Sequence, residues 1–148
     1  MSELKTYSRE LKLREEKMDY KRSKVNSSGT AAAFARNFYH DDITIYESFF
    51  LILLNNANNT IGHVKISQGG VTATLIDVKI LCKYVVETLA PAVILVHNHP
   101  SGKLLPSTAD KDITRKIQNA LKYLDSKVLD HIILTENSYY SFADEGIM

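Results

Sequence analysis

The chain has 148 residues, of which 45% are hydrophobic, so it is long and apolar enough for one domain with a core. Its formal net charge of +1 is small for a dedicated nucleic-acid-binding protein. No apolar run approaches the roughly 18 residues that span a membrane, residues 1–24 are too highly charged for a signal peptide, and a single cysteine excludes an internal disulfide. We therefore expect a cytoplasmic protein that makes no contact with membranes.

The first segment, residues 1–26, is predicted to be a charged tail or an extended arm. Residues 1–24 contain eight Lys/Arg and five Asp/Glu, which gives a local net charge of +3. A solvated segment is the simplest interpretation, and weak contact with nucleic acid through this basic tail is the alternative. Residues 27–148 are predicted to form a single domain.

Turn residues and hydrophobic periodicity predict eight elements in the order α-β-β-α-β-α-β-β. They are a helix through Ala31–Tyr39 capped by Ser27, Ser28 or Thr30, strands over 43–54 and 60–68, a helix over 75–89, a strand over 92–97, a helix over 107–124, and strands near 128–135 and 138–142. An Asn-rich turn between the first two strands predicts a hairpin. This order is typical of an α/β fold in which helices flank a mixed β-sheet.

Two of these segments have stronger patterns than the others. In the helix over 75–89, apolar residues repeat on one face, which predicts that this face packs in the core and that Cys82 is a buried, inert thiol. The face consists of Leu75, Val78, Cys82, Val85, Val86 and Leu89. Residues 92–97 (AVILVH) are almost all apolar, which is typical of a strand buried on both faces.

The segment that follows this buried strand combines residues that could bind a metal ion. In an extended chain, residues two positions apart project to the same side, so His97 and His99 are expected to direct two imidazoles at one point. Pro100 restrains His99 to extended conformations. The loop 100–106 can fold back and bring Asp110, in the first turn of the next helix, to the same point. Three protein ligands with a fourth position left for water are characteristic of catalytic zinc sites.

Glu47 and Ser107 are candidates for the chemistry that such a site would perform. Zinc lowers the pKa of a bound water from 15.7 to about 7, and a base must still accept the water proton and pass it to the leaving group. Glu47 lies within the predicted strand 43–54, on a face that is otherwise apolar, where a lone carboxylate is costly unless it is paired or near a metal. Ser107 could donate a hydrogen bond to the developing oxyanion.

Each of these features also has a simpler interpretation. Two such histidines can be surface residues at a strand end, and Glu47 could pair with a lysine. The pattern Ser-x-x-Asp at 107–110 also marks the start of a helix, and one oxygen of Asp110 could hardly serve both the Ser107 amide and a metal. Nucleases of the His-Asn-His type spread those residues over a larger unit, and a zinc deaminase requires His-x-Glu and Pro-Cys-x-x-Cys, which this chain lacks. The combination of the features therefore favours a metal-dependent hydrolase.

These residues resemble the JAMM motif of the JAB/MPN metalloenzymes, which is a Glu followed at a distance by His-x-His-Pro and Ser-x-x-Asp. Seven residues (100–106) separate His99 from Ser107, and Asp110 follows after two more, as in the motif. Glu47 lies upstream, in the strand where the family carries its glutamate. The variant His-Asn-His-Pro-Ser-Gly resembles bacterial RadC proteins in particular, and so do the segments ISQGG (66–70), LDHII (129–133) and YSFA (140–143).

The resemblance covers residues 27–148 and implies a mixed sheet flanked by helices, with a cytidine-deaminase-like architecture. It implies that His97, His99 and Asp110 hold Zn²⁺ together with a water, that Glu47 is the acid/base, and that Ser107 supports the oxyanion. The implied activity is that of a zinc metallopeptidase or isopeptidase acting on a peptide or protein. Asp130 and His131 either orient a metal ligand or belong to a structural strand pair.

An alternative function is a RadC-type binding module associated with DNA repair that lacks efficient proteolysis. The basic tail is its only support in the sequence, and the tail leaves no room for the helix-hairpin-helix region that precedes this domain in longer RadC proteins. Metal-dependent hydrolysis of a non-peptide bond is a third possibility that the site chemistry allows. Substrate identity and oligomeric state are not predicted.

Overall fold

A computed structural model describes residues 22–69 and 75–148 of the chain. Within these ranges the helices and strands follow the predicted order: α1 Ser28–Ala35, β1 Ser48–Leu54, β2 Thr60–Gln68, α2 Val78–Thr88, β3 Ala92–Asn98, α3 Thr108–Lys122, β4 Lys127–Leu134 and β5 Tyr139–Ser141. Two short 3-10 helices, Arg36–Phe38 and Asp41–Thr44, lie between α1 and β1. The predicted α/β class with a mixed sheet flanked by helices is confirmed.

The strands form one sheet in the order β2-β1-β3-β4-β5. β3 and β4 are parallel, and the other neighbouring strands are antiparallel. The two central strands β1 and β3 are buried along their whole length, because α1 covers one face of the sheet and α2 and α3 cover the other. Alternate residues of β1 divide between the two layers, with Phe50 packing under α1 and Phe49 packing under α2 and α3.

The strand directions place the start of β1 next to the end of β3. Because these strands are antiparallel, Phe49 lies opposite His97, and the same register continued by two residues brings Glu47 opposite His99. The loop after β3 then leads into α3, whose first turn returns to the same edge of the sheet. Residues far apart in the sequence therefore meet at this edge.

The predicted strand over 43–54 is wrong in its first half, since β1 begins at Ser48 and residues 41–44 form a 3-10 helix. Glu47 consequently lies immediately before the strand and not within it. The β-branched and aromatic residues of this stretch favoured an extended strand. The backbone groups of Ile43, Tyr46 and Ser48 instead form hydrogen bonds with the side chain of Asn98.

The predicted apolar face of the helix over 75–89 is also partly wrong. α2 starts after the N-cap Asp77, whose side chain accepts the Lys79 N–H at 2.9 Å, so the exposed Leu75 lies outside the helix. The helix stops before Leu89, which has a φ of 53° and is exposed. Exposed Val86 likewise does not pack in the core, and the fully buried positions are Leu81 and Val85.

Cys82 lies beside this core face of α2 and is partly buried, so the predicted full burial of its thiol is not observed. Burial raises the pKa of the Cys82 thiol above its usual value. A raised pKa leaves less thiolate at neutral pH, and the thiolate is the reactive form.

The predicted tail falls largely on residues 1–21, which lie outside the described residues. The described chain joins the sheet before residue 27, because Val25 is buried in the core and its N–H donates to the Asn58 carbonyl at 2.8 Å. The domain boundary at 26/27 stays a prediction. Among the described residues, no helix is both long enough and apolar enough to cross a membrane.

Candidate metal centre

Three polar side chains that are separate in the sequence converge at the edge where β3 ends and α3 begins. His97 Nε2 and His99 Nε2 lie 3.0 Å apart, and the Asp110 carboxylate lies 3.3 Å from the former and 3.2 Å from the latter. Zinc bound tetrahedrally at about 2.0–2.1 Å separates neighbouring ligand atoms by about 3.3 Å. The spacing of the three groups therefore fits the donor atoms of one such ion.

The ring orientation of His99 leaves its Nε2 available as a ligand. His99 Nδ1 lies 2.7 Å from the carbonyl oxygen of Lys103, and a carbonyl can only accept a hydrogen bond. Nδ1 must therefore carry the proton, and in the neutral ring Nε2 keeps its lone pair. The backbone N–H of His99 also donates to the Leu134 carbonyl at 2.9 Å, which holds the residue beside β4.

Asp110 also closes the first turn of α3 as part of a capping box. The Ser107 N–H donates to Asp110 Oδ2 at 2.8 Å, and the Asp110 N–H donates to Ser107 Oγ at 3.0 Å. The other oxygen, Oδ1, is the one 3.3 Å from His97 Nε2. Oδ2 also lies 3.2 Å from His99 Nε2, so it faces the candidate site as well as the cap, while Oδ1 faces the site alone. The two interpretations of Ser-x-x-Asp are therefore compatible.

The electrostatics of the cluster favour an ionised Asp110. Burial alone would raise the pKa of this carboxyl group, but its contacts with the His97 and His99 imidazoles outweigh that effect and hold its pKa well below the usual value. Burial alone would lower the pKa of His99, but the hydrogen bonds to Asp110 and to the Lys103 carbonyl outweigh it and raise this pKa. Both shifts favour a protonated His99 beside an ionised Asp110.

Glu47 faces the same cluster from the start of β1. Its Oε1 lies 4.0 Å from His99 Nε2, and its side chain is 13% exposed. Glu47, His97 and His99 each offer one ligand atom within 4.8 Å of the others, so this carboxylate is itself near enough to take part in a metal site. At 4.0 Å it is further from His99 Nε2 than the Asp110 carboxylate, which lies at 3.2 Å.

Ser107 lies at the rim of the site, exposed to solvent. Its hydroxyl oxygen accepts the Asp110 N–H at 3.0 Å, so the hydroxyl proton is still available to donate. Donation of this proton to an oxyanion stays a prediction.

Asn98 is a residue of the candidate site that sequence reasoning missed. It is fully buried between the two candidate ligands, and its amide forms three hydrogen bonds with the segment on either side of Glu47. Its Oδ1 accepts the Ser48 N–H at 2.8 Å, and its Nδ2 donates to the carbonyls of Ile43 at 2.7 Å and Tyr46 at 2.8 Å. An asparagine inside an otherwise apolar strand was the signal, because a buried amide must find partners.

Asp130 and His131 were each predicted either to orient a metal ligand or to belong to a structural strand pair, and their surroundings differ. Asp130 accepts hydrogen bonds from Ser141 Oγ at 2.6 Å, the Ala143 N–H at 3.0 Å and its neighbour's N–H at 2.7 Å, so it holds the chain after β5. His131 is fully buried, and its Nε2 lies 2.7 Å from His97 Nδ1. Of the pair, His131 is the residue in contact with a candidate ligand.

Comparison with known proteins gives a consistent group of relatives. The sequence pattern of a family described as "RadC-like JAB domain" matches residues 25–147. A UPF0758 protein of Flavobacterium johnsoniae is 51% identical over 102 residues, which are 69% of this chain and 44% of the relative. A UPF0758 protein of Porphyromonas gingivalis is 40% identical over 103 residues, 69% of this chain and 45% of the relative.

A UPF0758 protein of Escherichia coli, YfjY, is 39% identical over 102 residues, which are 69% of this chain and 64% of that protein. The chain spans about half the length of most of the curated relatives it matches. The names of these relatives state no activity.

Proposed function

The chain belongs to the RadC-like JAB domain family, and from this premise we propose that it is a zinc-dependent hydrolase that cleaves an amide bond, as a metallopeptidase or isopeptidase. One observation carries the proposal. His97 Nε2, His99 Nε2 and the Asp110 carboxylate lie within 3.0–3.3 Å of one another, and the Glu47 carboxylate is 4.0 Å from one of these nitrogens.

The donor set fits zinc better than a harder cation. Two imidazoles and one carboxylate suit zinc, whereas magnesium and calcium prefer oxygen ligands throughout. When bound, zinc would polarise a substrate carbonyl and lower the pKa of a water from 15.7 to about 7. Because Asp110 is the single anion among the three proposed ligands, the centre would keep a net positive charge.

Glu47 is proposed to move the proton during the reaction. Its carboxylate accepts a proton from the attacking water and delivers it to the amine nitrogen that leaves, so the proton lost at one step is returned at the next. The hydrogen bonds from Asn98 to the backbone around Glu47 hold this segment beside the site.

Ser107 is proposed to donate its hydroxyl proton to the oxyanion that forms as the carbonyl carbon becomes tetrahedral. The hydroxyl oxygen is oriented by the Asp110 N–H, which it accepts at 3.0 Å. Loss of a donor of this kind typically costs roughly 10²–10³-fold in rate.

The proposed substrate is a peptide or protein segment. Ile45 and Tyr46, just before Glu47, are exposed, and so is Leu105 in the loop between His99 and Ser107. Exposed apolar side chains this close along the chain to the site favour a substrate that carries apolar side chains of its own.

Replacing Glu47 by Gln tests the proposal. We expect the variant to retain one zinc per chain and to lose amide cleavage by about 10²–10⁴-fold, since the amide cannot accept the water proton. Zinc is measured by elemental analysis, and cleavage is measured with an unbiased peptide library. The control is His97→Ala, which should lose the metal as well as the activity.

Two outcomes would contradict these assignments. Cleavage by Glu47→Gln at the wild-type rate would remove Glu47 from the reaction, and stoichiometric zinc in His97→Ala would remove His97 from the ligands. A zinc-loaded wild type that cleaves no peptide and no isopeptide bond would overturn the proposed function itself.

The alternative, a DNA-binding module, is supported by the charge of the tail, most of which lies outside the described residues. It requires DNA binding that weakens steeply with salt. Deleting residues 1–21 and neutralising Arg22 and Lys24 should then abolish that binding, while the backbone contacts of Ser23 and Val25 with the hairpin are kept.

A further inference from the structure

We propose that Thr114 and His131 form a positioning relay that holds His97 in the ring tautomer that can bind a metal ion. The inference rests on the proposed zinc site and extends it to two residues outside the JAMM motif. Its test uses metal binding and ring protonation, which can be measured whether or not a substrate is known.

The relay is a continuous chain of short hydrogen bonds in the interior. Thr114 Oγ1 lies 2.7 Å from the backbone carbonyl oxygen of Asp110 and 2.6 Å from His131 Nδ1. His131 Nε2 lies 2.7 Å from His97 Nδ1. Both Thr114 and His131 are buried, so water does not supply alternative partners.

The Asp110 carbonyl at one end of this series of hydrogen bonds determines which atom is the donor in each bond. A carbonyl oxygen only accepts, so the single hydroxyl proton of Thr114 points to Asp110. Thr114 Oγ1 must then accept from His131, whose proton is therefore on Nδ1. The other nitrogen of a neutral His131 carries a lone pair and accepts from His97 Nδ1, which leaves His97 Nε2 deprotonated and directed at the site.

The surroundings of His131 keep its ring neutral and fixed. The ring stacks on Phe142 at a centroid distance of 4.5 Å and meets the edge of Phe49 at 5.6 Å. A doubly protonated imidazole would place a charge at a position that is fully buried, which is costly. With one proton only, the ring can satisfy both neighbours in a single arrangement.

The relay links two of the three proposed ligands through separate elements. Thr114 follows Asp110 by one turn of α3, His131 belongs to β4, and His97 belongs to β3. His99 Nδ1 faces the Lys103 carbonyl at 2.7 Å, so its proton should not depend on Thr114, whereas His99 Nε2 lies 3.0 Å from His97 Nε2 and shares its surroundings. The Nδ1 atom of His99 therefore serves as the internal reference for measurements on His97.

The test compares Thr114→Val, which removes the hydroxyl from a side chain of similar shape, with Thr114→Ser, which keeps it. Without the hydroxyl, His131 Nδ1–H has no acceptor, and the proton is free to move to Nε2. His97 is then forced to carry its own proton on Nε2, where a metal should bind. We expect Thr114→Val to bind zinc about 10–100-fold more weakly than wild type in a chelator competition, and Thr114→Ser to differ little.

The second readout is the ¹⁵N NMR spectrum of the histidine rings in zinc-free protein. Wild type and Thr114→Ser should have His97 protonated at Nδ1, and Thr114→Val should contain the Nε2-protonated form while His99 stays protonated at Nδ1. A wild-type spectrum with His97 protonated at Nε2 overturns the relay, and this result does not depend on whether any variant folds. Wild-type zinc affinity in a folded Thr114→Val overturns it as well.

The relay and the proposed function can fail separately. If wild type binds zinc and Thr114→Val weakens that binding, but no amide is cleaved, the relay stands and the hydrolase proposal falls. If amide cleavage is present while zinc affinity and the His97 tautomer are unaffected by Thr114→Val, the relay falls alone.

Discussion

His99 is the residue at which protons and metal compete most directly. Its Nε2 faces the Asp110 carboxylate at 3.2 Å, and the hydrogen bonds from its ring to Asp110 and the Lys103 carbonyl outweigh the effect of burial and raise its pKa. A raised pKa means that the ring stays protonated to a higher pH than an ordinary imidazole, whose pKa is about 6.5. Zinc must displace that proton in order to bind.

We therefore expect zinc affinity to fall as the pH is lowered through the raised pKa of His99, with a midpoint above about pH 6.5, and to level off at higher pH. The pKa of His131 is lowered, chiefly by burial, so this ring stays neutral and should not contribute. Chelator competition between about pH 5.5 and pH 8.5 measures the profile. Affinity that is constant across this range, or that declines only well below pH 6, would contradict the assignment of His99 as a ligand.

The convergence of His97 and His99 could be anticipated from the sequence because the alternation of side chains along a strand depends on local geometry alone. The contribution of Thr114 could not. Its hydroxyl lies on the buried face of α3, and only the packing of that helix on β4 brings His131 Nδ1 to 2.6 Å from it. The sequence alone does not distinguish this threonine from any other residue of the helix.

At the scale of elements, the end of β3 organises the segment before β1. Asn98 is fully buried, and its amide forms three hydrogen bonds with the backbone between residues 43 and 48, one through Oδ1 and two through Nδ2. On the other side of this segment, the Gly69 N–H donates to the Glu47 carbonyl at 2.9 Å, and Ser48 pairs with Gln68 of β2. Asn98 thus takes the place of a neighbouring strand on one side and helps to hold Glu47 at the site.

Replacing Asn98 by Ala should therefore damage catalysis more than metal binding. Three hydrogen bonds are lost at about 1 kcal/mol each, so we expect the free energy of unfolding to fall by roughly 3 kcal/mol. Zinc stoichiometry should persist, because the β3 backbone is unchanged, while kcat should fall towards that of Glu47→Gln with little change in KM. Zinc content, kcat and chemical denaturation are measured together.

Asn55→Ala provides a matched control at the far end of β1. Asn55 Oδ1 accepts the N–H groups of Ala57 and Asn59 at 3.0 Å each, so this variant also loses side-chain contacts with the backbone, one exposed and one partly buried, without touching the site. It should lower stability and leave kcat unaltered. If both variants reduce kcat to the same degree at equal stability, the positioning role of Asn98 is wrong.

Element types were predictable where local pattern and tertiary packing agree. β2 spans the predicted residues 60–68, and the short apolar β3 is buried on both faces as expected. The errors lie where polar side chains bind backbone groups. Asn98 forms hydrogen bonds with the backbone of residues 43 and 46, which do not extend β1, and the cap at Asp77 starts α2 three residues later than the apolar pattern indicated.

At the scale of the whole molecule, the proposed ligands and the proposed proton-transfer residue come from parts of the chain that are distant in sequence. His97 and His99 come from the end of β3, Asp110 from the start of α3, and Glu47 from the residue before β1. An unfolded chain cannot hold these groups within 3.0–4.0 Å of one another. Zinc should therefore bind the native state far more tightly than the unfolded state, and so stabilise the fold.

The expected size of this stabilisation follows from mass action. At a free zinc concentration about 100 times Kd, the gain is about 2.7 kcal/mol, which for a chain of this length corresponds to a rise in Tm of roughly 5–10 °C. Thermal unfolding followed by circular dichroism, with and without zinc, measures the shift. Asp110→Asn keeps an oxygen that can accept the Ser107 N–H and removes the anionic ligand, so its Tm should respond little to zinc. Magnesium should have no effect on wild type, because it requires oxygen ligands. An equal zinc-induced rise in Tm in wild type and Asp110→Asn would mean that the metal binds elsewhere. The edge of the sheet between β3 and α3 would then not be the catalytic site.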